Sequence, residues 1–240
     1  MNTQNTQDQF LALRLHGMAR RYEAICQMAV HQQPEAHALA AMLTEAEADY
    51  RIHQRTQLYL RMAKLRYTAH PEQVHCGQDR GLSKEQLLQL CDGSFIAKGE
   101  HVLISGATGC GKSFLACALG RMACNIGQRT LYFSMNRFIE QIAAARLDGS
   151  YIKWLNQIAK TQLLILDDFG LQPISHDVRI TLLQILEDRY GSGAVIITSQ
   201  LPVNKWYEYL GEPTSADAIC DRLTAHAHRI ELKGASRRKQ

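Results

Sequence analysis

Between the apolar run Val102-Leu103-Ile104 and a second apolar run at 114–122, the chain places Gly106, Gly109 and Gly111, followed by Lys112 and Ser113. Glycine opens backbone conformations that side chains forbid. A strand, a glycine-rich turn and a helix start in this order make an anion site, with N–H groups turned inward and the positive end of the helix dipole behind them. The spacing from Gly106 to Gly111-Lys112-Ser113 satisfies G-x-x-x-x-G-K-[ST], the loop that cradles the phosphates of a nucleoside triphosphate. The nucleotide-binding residues expected on this reading are Gly106, Ala107, Thr108, Gly109, Cys110, Gly111, Lys112, Ser113 and Phe114. Lys112 would reach the β/γ phosphates of ATP, and the Ser113 hydroxyl would ligate Mg²⁺. A turn that merely links strand to helix is the plain alternative, and the strand-before, helix-after context argues against it.

A triphosphate site also needs a metal partner and a means of positioning water. LLILDDFG, residues 163–170, supplies both. Four apolar residues form a buried strand, and two acids emerge at its carboxyl end. Asp167 is expected to hold Mg²⁺, and Asp168 to orient or deprotonate the attacking water. A further strand, Val195-Ile196-Ile197, ends in Thr198-Ser199-Gln200. A polar side chain there would sit beside the γ-phosphate; Gln200 is the first candidate, with Ser199 and Thr198 close behind. Within DAICDRL, Arg222 lies in a helix far from the loop. Charge developing on the phosphoryl group calls for a cation. Were Arg222 that cation, reaching in from a neighbouring subunit, hydrolysis would require assembly. Spacing by itself favours a salt bridge from Arg222 to Asp217 or Asp221.

The elements that must position these residues are legible in the apolar pattern. From residue 101 onward, strand candidates at 101–105, 130–134, 162–167, 194–198 and 228–232 alternate with helices at 112–126, 136–147, 150–160, 176–190 and 215–226. Near-continuous apolar strands with helical crossovers imply a parallel sheet covered on both faces. Residues 1–67 instead carry helical periodicity, interrupted at Pro34, and read as two or three amphipathic helices forming a separate domain. Late in that region Arg51, Arg55, Arg61, Lys64 and Arg66 follow one another without an acid, and Tyr50, Tyr59 and Tyr67 interleave. Such a strip suits a phosphate backbone, and an ordinary solvated face weighs about equally; Arg51, Arg55, Arg61 and Lys64 are the candidate nucleic-acid contacts. Residues 68–82 hold a proline and two glycines and read as a linker. Ser83 and Gln86 then form a capping box that opens the domain at 83–240.

Composition bounds the rest. The chain has 240 residues, is 46% hydrophobic and carries a net charge of +4. That length suits one α/β domain with a smaller appendage. The charge is too small to argue for nucleic acid in total, though the tail from Arg229 onward concentrates basic residues. Seven cysteines, an odd number without a C-x-x-C pair, speak against disulfides and zinc. The His226-x-His228 pair is a weak metal signal. Lack of a signal peptide or long uncharged apolar run implies a cytoplasmic protein with no membrane partner.

GATGCGKS, LLILDDFG, IITSQLP and the late D-R-L together resemble the AAA+ ATPases. Within that group the chain is similar to the IstB-like helpers of insertion-sequence transposition, relatives of the DnaC helicase loaders, over nearly its whole length. The helical opening and the closing IELKGASRRK share in the likeness. The resemblance implies an AAA+ P-loop core with parallel sheet order 5-1-4-3-2, no helical lid, and a small all-α N-terminal domain. It implies the sensor 1 position for Gln200, the arginine-finger position for Arg222, and a match to G-x-S-x-R for Arg238, whose role stays open. It further implies a homo-oligomer that assembles on double-stranded DNA with ATP and assists a cognate transposase. One departure is Asp168, where most of the group carries glutamate; a shorter reach to water would make hydrolysis slow. A loader that grips a protein through residues 1–67 is the alternative. A small-molecule kinase shares the loop, but no arginine-rich lid lies between the strands, and paired acids suit water activation better than transfer to an acceptor.

Overall fold

A computed structural model of the chain describes residues 3–234; Arg238 lies outside the described residues. The chain divides into two compact units, Met1–Leu58 and Tyr59–Gln240. The division falls within a helix, ahead of the expected end of the helical region at 67.

The first unit contains α1 (Thr3–Ala12), α2 (His16–Cys26) and most of α3 (Ala36–Ala63), so the helical periodicity resolves into three helices. Arg14, at φ +59°, turns the chain between α1 and α2. Pro34 lies in the connection ahead of α3, after a 3-10 turn at Val30–Gln32. The unit is knitted by one buried acid. Glu47 of α3 accepts hydrogen bonds from the N–H groups of Gly17 (2.8 Å) and Met18 (3.3 Å), at the start of α2. A carboxylate there satisfies amides that the helix leaves open and complements its dipole. Gly17 permits the approach, since a Cβ at that position would lie 2.3 Å from the Ala46 carbonyl oxygen.

The second unit holds the end of α3, then α4 (Lys84–Cys91) and α5 (Ser94–Ala97), followed by the alternating core. That core runs β1 (His101–Gly106), α6 (Lys112–Asn125), β2 (Thr130–Ser134), α7 (Met135–Leu147), α8 (Tyr151–Ala159), β3 (Leu163–Phe169), α9 (His176–Asp188), β4 (Ala194–Ser199), α10 (Trp206–Leu210), α11 (Pro213–Thr224) and β5 (Ala227–Leu232). The five strands pair in parallel in the order β2-β3-β4-β1-β5, which is 5-1-4-3-2 read from the other edge. Successive strand residues point to opposite faces, and the sheet accordingly feeds two cores. Val102, Ile104, Leu163, Ile165, Ala194 and Ile196 pack with α4, α5 and α6. Leu103, Leu164, Leu166, Val195 and Ile197 pack with α7, α8, α9 and α11. Burial on both faces explains why these strands read as unbroken apolar runs.

Ser83 caps α4 as its spacing predicts: its Oγ accepts from the Gln86 N–H (3.1 Å), and the Gln86 side chain accepts from the Ser83 N–H (3.0 Å). Residues 68–82 are not a free tether. They form 3-10 turns at Pro71–Gln73 and Gln78–Arg80, bury Ala69 and Leu82, and pack Val74 and Cys76 against the core around α6.

Candidate functional site

Because β1, β3 and β4 are adjacent and parallel, their carboxyl ends open on one side of the sheet, where ligands bind in folds of this kind. β1 runs into the glycine loop. Gly106 has φ +146°, and a Cβ there would lie 2.3 Å from the Leu232 carbonyl oxygen, so no other residue fits. α6 begins at Lys112, directly behind the loop. Its first amides have no intrahelical acceptor and face whatever the loop encloses. Lys112 is 6% exposed, and its Nζ donates to the carbonyls of Gly106 (2.8 Å) and Ala107 (2.9 Å), folded over the loop it belongs to. Arg80 braces the same loop from outside, donating to the Cys110 carbonyl at 2.7 Å.

β3 delivers the acids through a defect. Leu166 pairs with Ile197 and Phe169 with Ser199, so three steps on β3 oppose two on β4. The bulge centres on Asp167 and Asp168, and Asp168 has φ +63°. In a regular strand these neighbours would point to opposite faces; a bulge re-aims side chains. Asp167 is fully buried and accepts from the hydroxyls of Ser113 (2.8 Å), Tyr132 (2.5 Å) and Thr198. Burial, and then Asp167 as acceptor and negative neighbour, push the Tyr132 hydroxyl well above the ordinary tyrosine range, so it stays a donor. The Ser113–Asp167 pairing brings together the two residues expected to share Mg²⁺. Their oxygen donors suit that hard cation, which is commonly held by one or two carboxylates completed by phosphate and water. Among the described residues no group of three or more His, Cys, Asp and Glu forms a ready metal cage.

The three polar residues after the β4 apolar run have separate tasks. Thr198 holds both acids, donating to Asp167 and accepting from the Asp168 N–H at 3.0 Å. Ser199 is a turn residue, donating to the Phe169 carbonyl (2.6 Å) and accepting from the Leu201 N–H. Gln200 alone reaches the loop, accepting from the Thr108 hydroxyl at 2.7 Å. Gln200, Asp168 and loop residues 108–114 line one cavity of about 420 Å³, whose far wall is Tyr67, Gln73, Val74, His75, Arg80 and Leu82. Segment 68–82 thus furnishes a wall of the cleft, which its irregular, turn-rich sequence conceals.

Arg66 is a further member that sequence reasoning assigns elsewhere. Read with the basic strip, it instead turns to the acids, with Nη1 3.2 Å from Asp168 Oδ2 and 3.5 Å from Asp167 Oδ2. Burial disfavours its charge, but Tyr67, Tyr132 and Asp167 outweigh that and hold the guanidinium above its usual range. Of the strip itself, Arg51 pairs with Glu47 at 2.7 Å. Arg55, Arg61 and Lys64 are exposed, with no ion pair among the described residues. Arg222 does not line the cleft. Its acid partner is neither Asp217 nor Asp221 but Glu187 of α9, at 2.8 Å, and it also donates to the Ala218 carbonyl. Helical spacing points to acids on the same helix; packing of α11 on α9 brings a better-placed one.

The family described as IstB-like ATP binding protein matches residues 8–240. An insertion sequence ATP-binding protein of Sinorhizobium fredii is 42% identical over 234 residues, covering 98% of this chain and 96% of the relative. The ATP-binding protein of insertion sequence IS21 from Pseudomonas aeruginosa is 26% identical over 226 residues, covering 94% and 85%. Among solved structures, the DnaC helicase loader matches with a TM-score of 0.57 at 20% identity, over 71% of this chain and 100% of that one. AMPPCP-bound DnaA from Aquifex aeolicus matches with a TM-score of 0.60 at 19% identity, over 71% and 51%. At such identities these neighbours speak for the AAA+ fold alone.

Proposed function

Because the chain belongs to the family of IstB-like ATP-binding proteins, we propose that it is a slow, assembly-dependent ATPase that organises on double-stranded DNA and assists the transposase of its insertion sequence. The observation that carries the nucleotide part is the convergence of Lys112, Ser113, Asp168 and Gln200 on one cleft, with Asp167 buried behind Ser113, whose Oγ donates to its Oδ1 at 2.8 Å.

The residues divide the work as follows. Lys112 exchanges the two loop carbonyls for phosphate oxygens. Ser113 and Asp167 hold Mg²⁺, which when bound neutralises phosphate charge. Tyr132 and Thr198 hold the Asp167 carboxylate in place by donating to its two oxygens. Asp168 takes the proton of the attacking water, and Gln200, steadied by Thr108, reports on the terminal phosphate. Arg222 acts in a neighbouring copy, leaving Glu187 when copies stack. Arg55, Arg61 and Lys64, exposed and without an ion pair among the described residues, supply phosphate contacts that weaken steeply with salt. The free state of all seven cysteines fits a reducing cytoplasmic setting, and no helix among the described residues is long and apolar enough to cross a membrane.

Calorimetric titration with ATP and Mg²⁺ tests the premise. The wild type should bind, and Lys112→Ala should bind at least about tenfold more weakly, since a charge-assisted phosphate contact is worth more than about 1.4 kcal/mol. ATP-dependent binding to duplex DNA should disappear with it. An absence of heat from folded wild-type protein refutes the proposal.

A further inference from the structure

We propose that Arg66 is a resident cation of the metal-binding carboxylates: it and a divalent ion exclude one another, so metal arriving with nucleotide turns the Arg66 side chain out, loosens residues 64–69 and frees Asp168. This rests on the nucleotide reading above and adds to it a device within the same site.

Four observations carry it. First, α3 ends at Ala63, and Lys64, at φ +52°, turns the chain out of the helix. Second, the residues that follow lie along α6. Leu65 covers Gly120, where a Cβ would meet its Cδ2 at 3.0 Å, and Ala69 is fully buried. The Tyr67 ring stands 6.4 Å from that of Phe114. Third, the charged anchor of this strap is Arg66, which touches both acids through one nitrogen. Fourth, mobility is one-sided. The Arg66 side chain is 40% exposed and can swing into solvent, whereas Asp167 is 0% exposed and cannot follow it.

Asp167 presents Oδ1 to Ser113 and Thr198, and Oδ2 to Tyr132 and Arg66. A divalent cation bound to this carboxylate would add two positive charges beside a guanidinium sharing the same acids, and like charges at such range repel strongly where water is scarce. The partly exposed ion pair is the weaker tie. Asp168 is the gainer. While its Oδ2 accepts from Arg66, one acceptor needed for a water proton is engaged; once Arg66 leaves, the carboxylate is free. Metal binding and arming of the base become one event, felt by Lys64 at the head of the strap.

Two measurements on the full chain test this. Mn²⁺, read by electron paramagnetic resonance, is titrated alone and with a non-hydrolysable ATP analogue. Mutual exclusion requires that Arg66→Ala lower the half-saturating Mn²⁺ concentration by about tenfold, within the usual range of coupling between sites, with Arg66→Lys close to wild type. Amide hydrogen exchange on the wild type, which needs no folded variant, should quicken across 64–69 when Mn²⁺ and the analogue are added together. Unchanged or weaker Mn²⁺ binding in Arg66→Ala overturns the inference, as does exchange across 64–69 that stays constant or slows. A wild type that binds no Mn²⁺ with the analogue ends the nucleotide reading too; one that binds it but ignores Arg66 ends only this inference.

Discussion

Asp168 shows how much the site asks of one residue. Its left-handed backbone costs on the order of 1–3 kcal/mol for a residue other than glycine, although aspartate and asparagine tolerate that region better than most. In exchange its carboxylate shares a side with that of Asp167, within reach of a single arginine nitrogen. Asparagine keeps the shape and the backbone tolerance and removes the charge. Asp168→Asn should therefore leave ATP affinity within about threefold of wild type and lower steady-state turnover by about 100-fold or more, the usual weight of a general base. Turnover that survives the change assigns the proton to another group. The adjacent acids were legible as a pair in LLILDDFG. Their common direction was not, because a bulge depends on pairing with β4, whose Thr198 lies 30 residues beyond Asp168 in the chain.

Among the elements, β1 carries a titratable residue at its base. His101 is 7% exposed, and its Nδ1 accepts from the Val195 N–H at 3.2 Å. Burial first, then the charges of Arg189 and His226, push its pKa down to about 4. Unfolded histidine titrates near 6.5. A depressed value means that the fold holds the neutral ring, so its contribution is intact above about pH 6.5 and drains away as pH falls toward 4. Between pH 7 and 5 the wild type should lose about 2 kcal/mol more than His101→Gln in urea unfolding, from that difference in proton uptake. Parallel pH curves for the two proteins contradict the assignment. The five strands and the longer helices were readable because periodicity is local. The short α5 and α10, at 94–97 and 206–210, carry too few turns to show a period, and segment 68–82 owes its order to Ala69 and Leu82 finding the core rather than to any repeat of its own.

For the whole molecule, the question is whether one copy suffices. Arg222 lies outside the cleft and is tied to Glu187, so a role at the phosphate belongs to an assembly. Arg222→Ala should retain ATP binding within about threefold and lose hydrolysis by about 1,000-fold, the scale of arginine fingers. Mixed with Asp168→Asn, which supplies the arginine but not the base, it should recover a measurable fraction of wild-type turnover. Mixtures as inactive as either variant alone remove the trans role and leave Arg222 as a structural link between α11 and α9. The same scale separates the basic strip into parts. Arg51 is spoken for by the acid that joins α2 to α3, while Arg55, Arg61 and Lys64 remain available.

Residue types and short-range spacing were enough to identify the phosphate loop, the acid pair, the strand after them and the parallel sheet, since each is written within ten or so neighbouring positions and obeys a period of two or about 3.6. Partnerships were not written there. That Arg66 faces Asp168, that Arg222 answers to Glu187, and that Thr198 rather than Ser199 holds the Asp167 carboxylate follow from which elements lie side by side and where one strand bulges. Ionic contacts and hydrogen bonds act over a few ångströms of space, and only the closed fold brings residues a hundred positions apart within that distance.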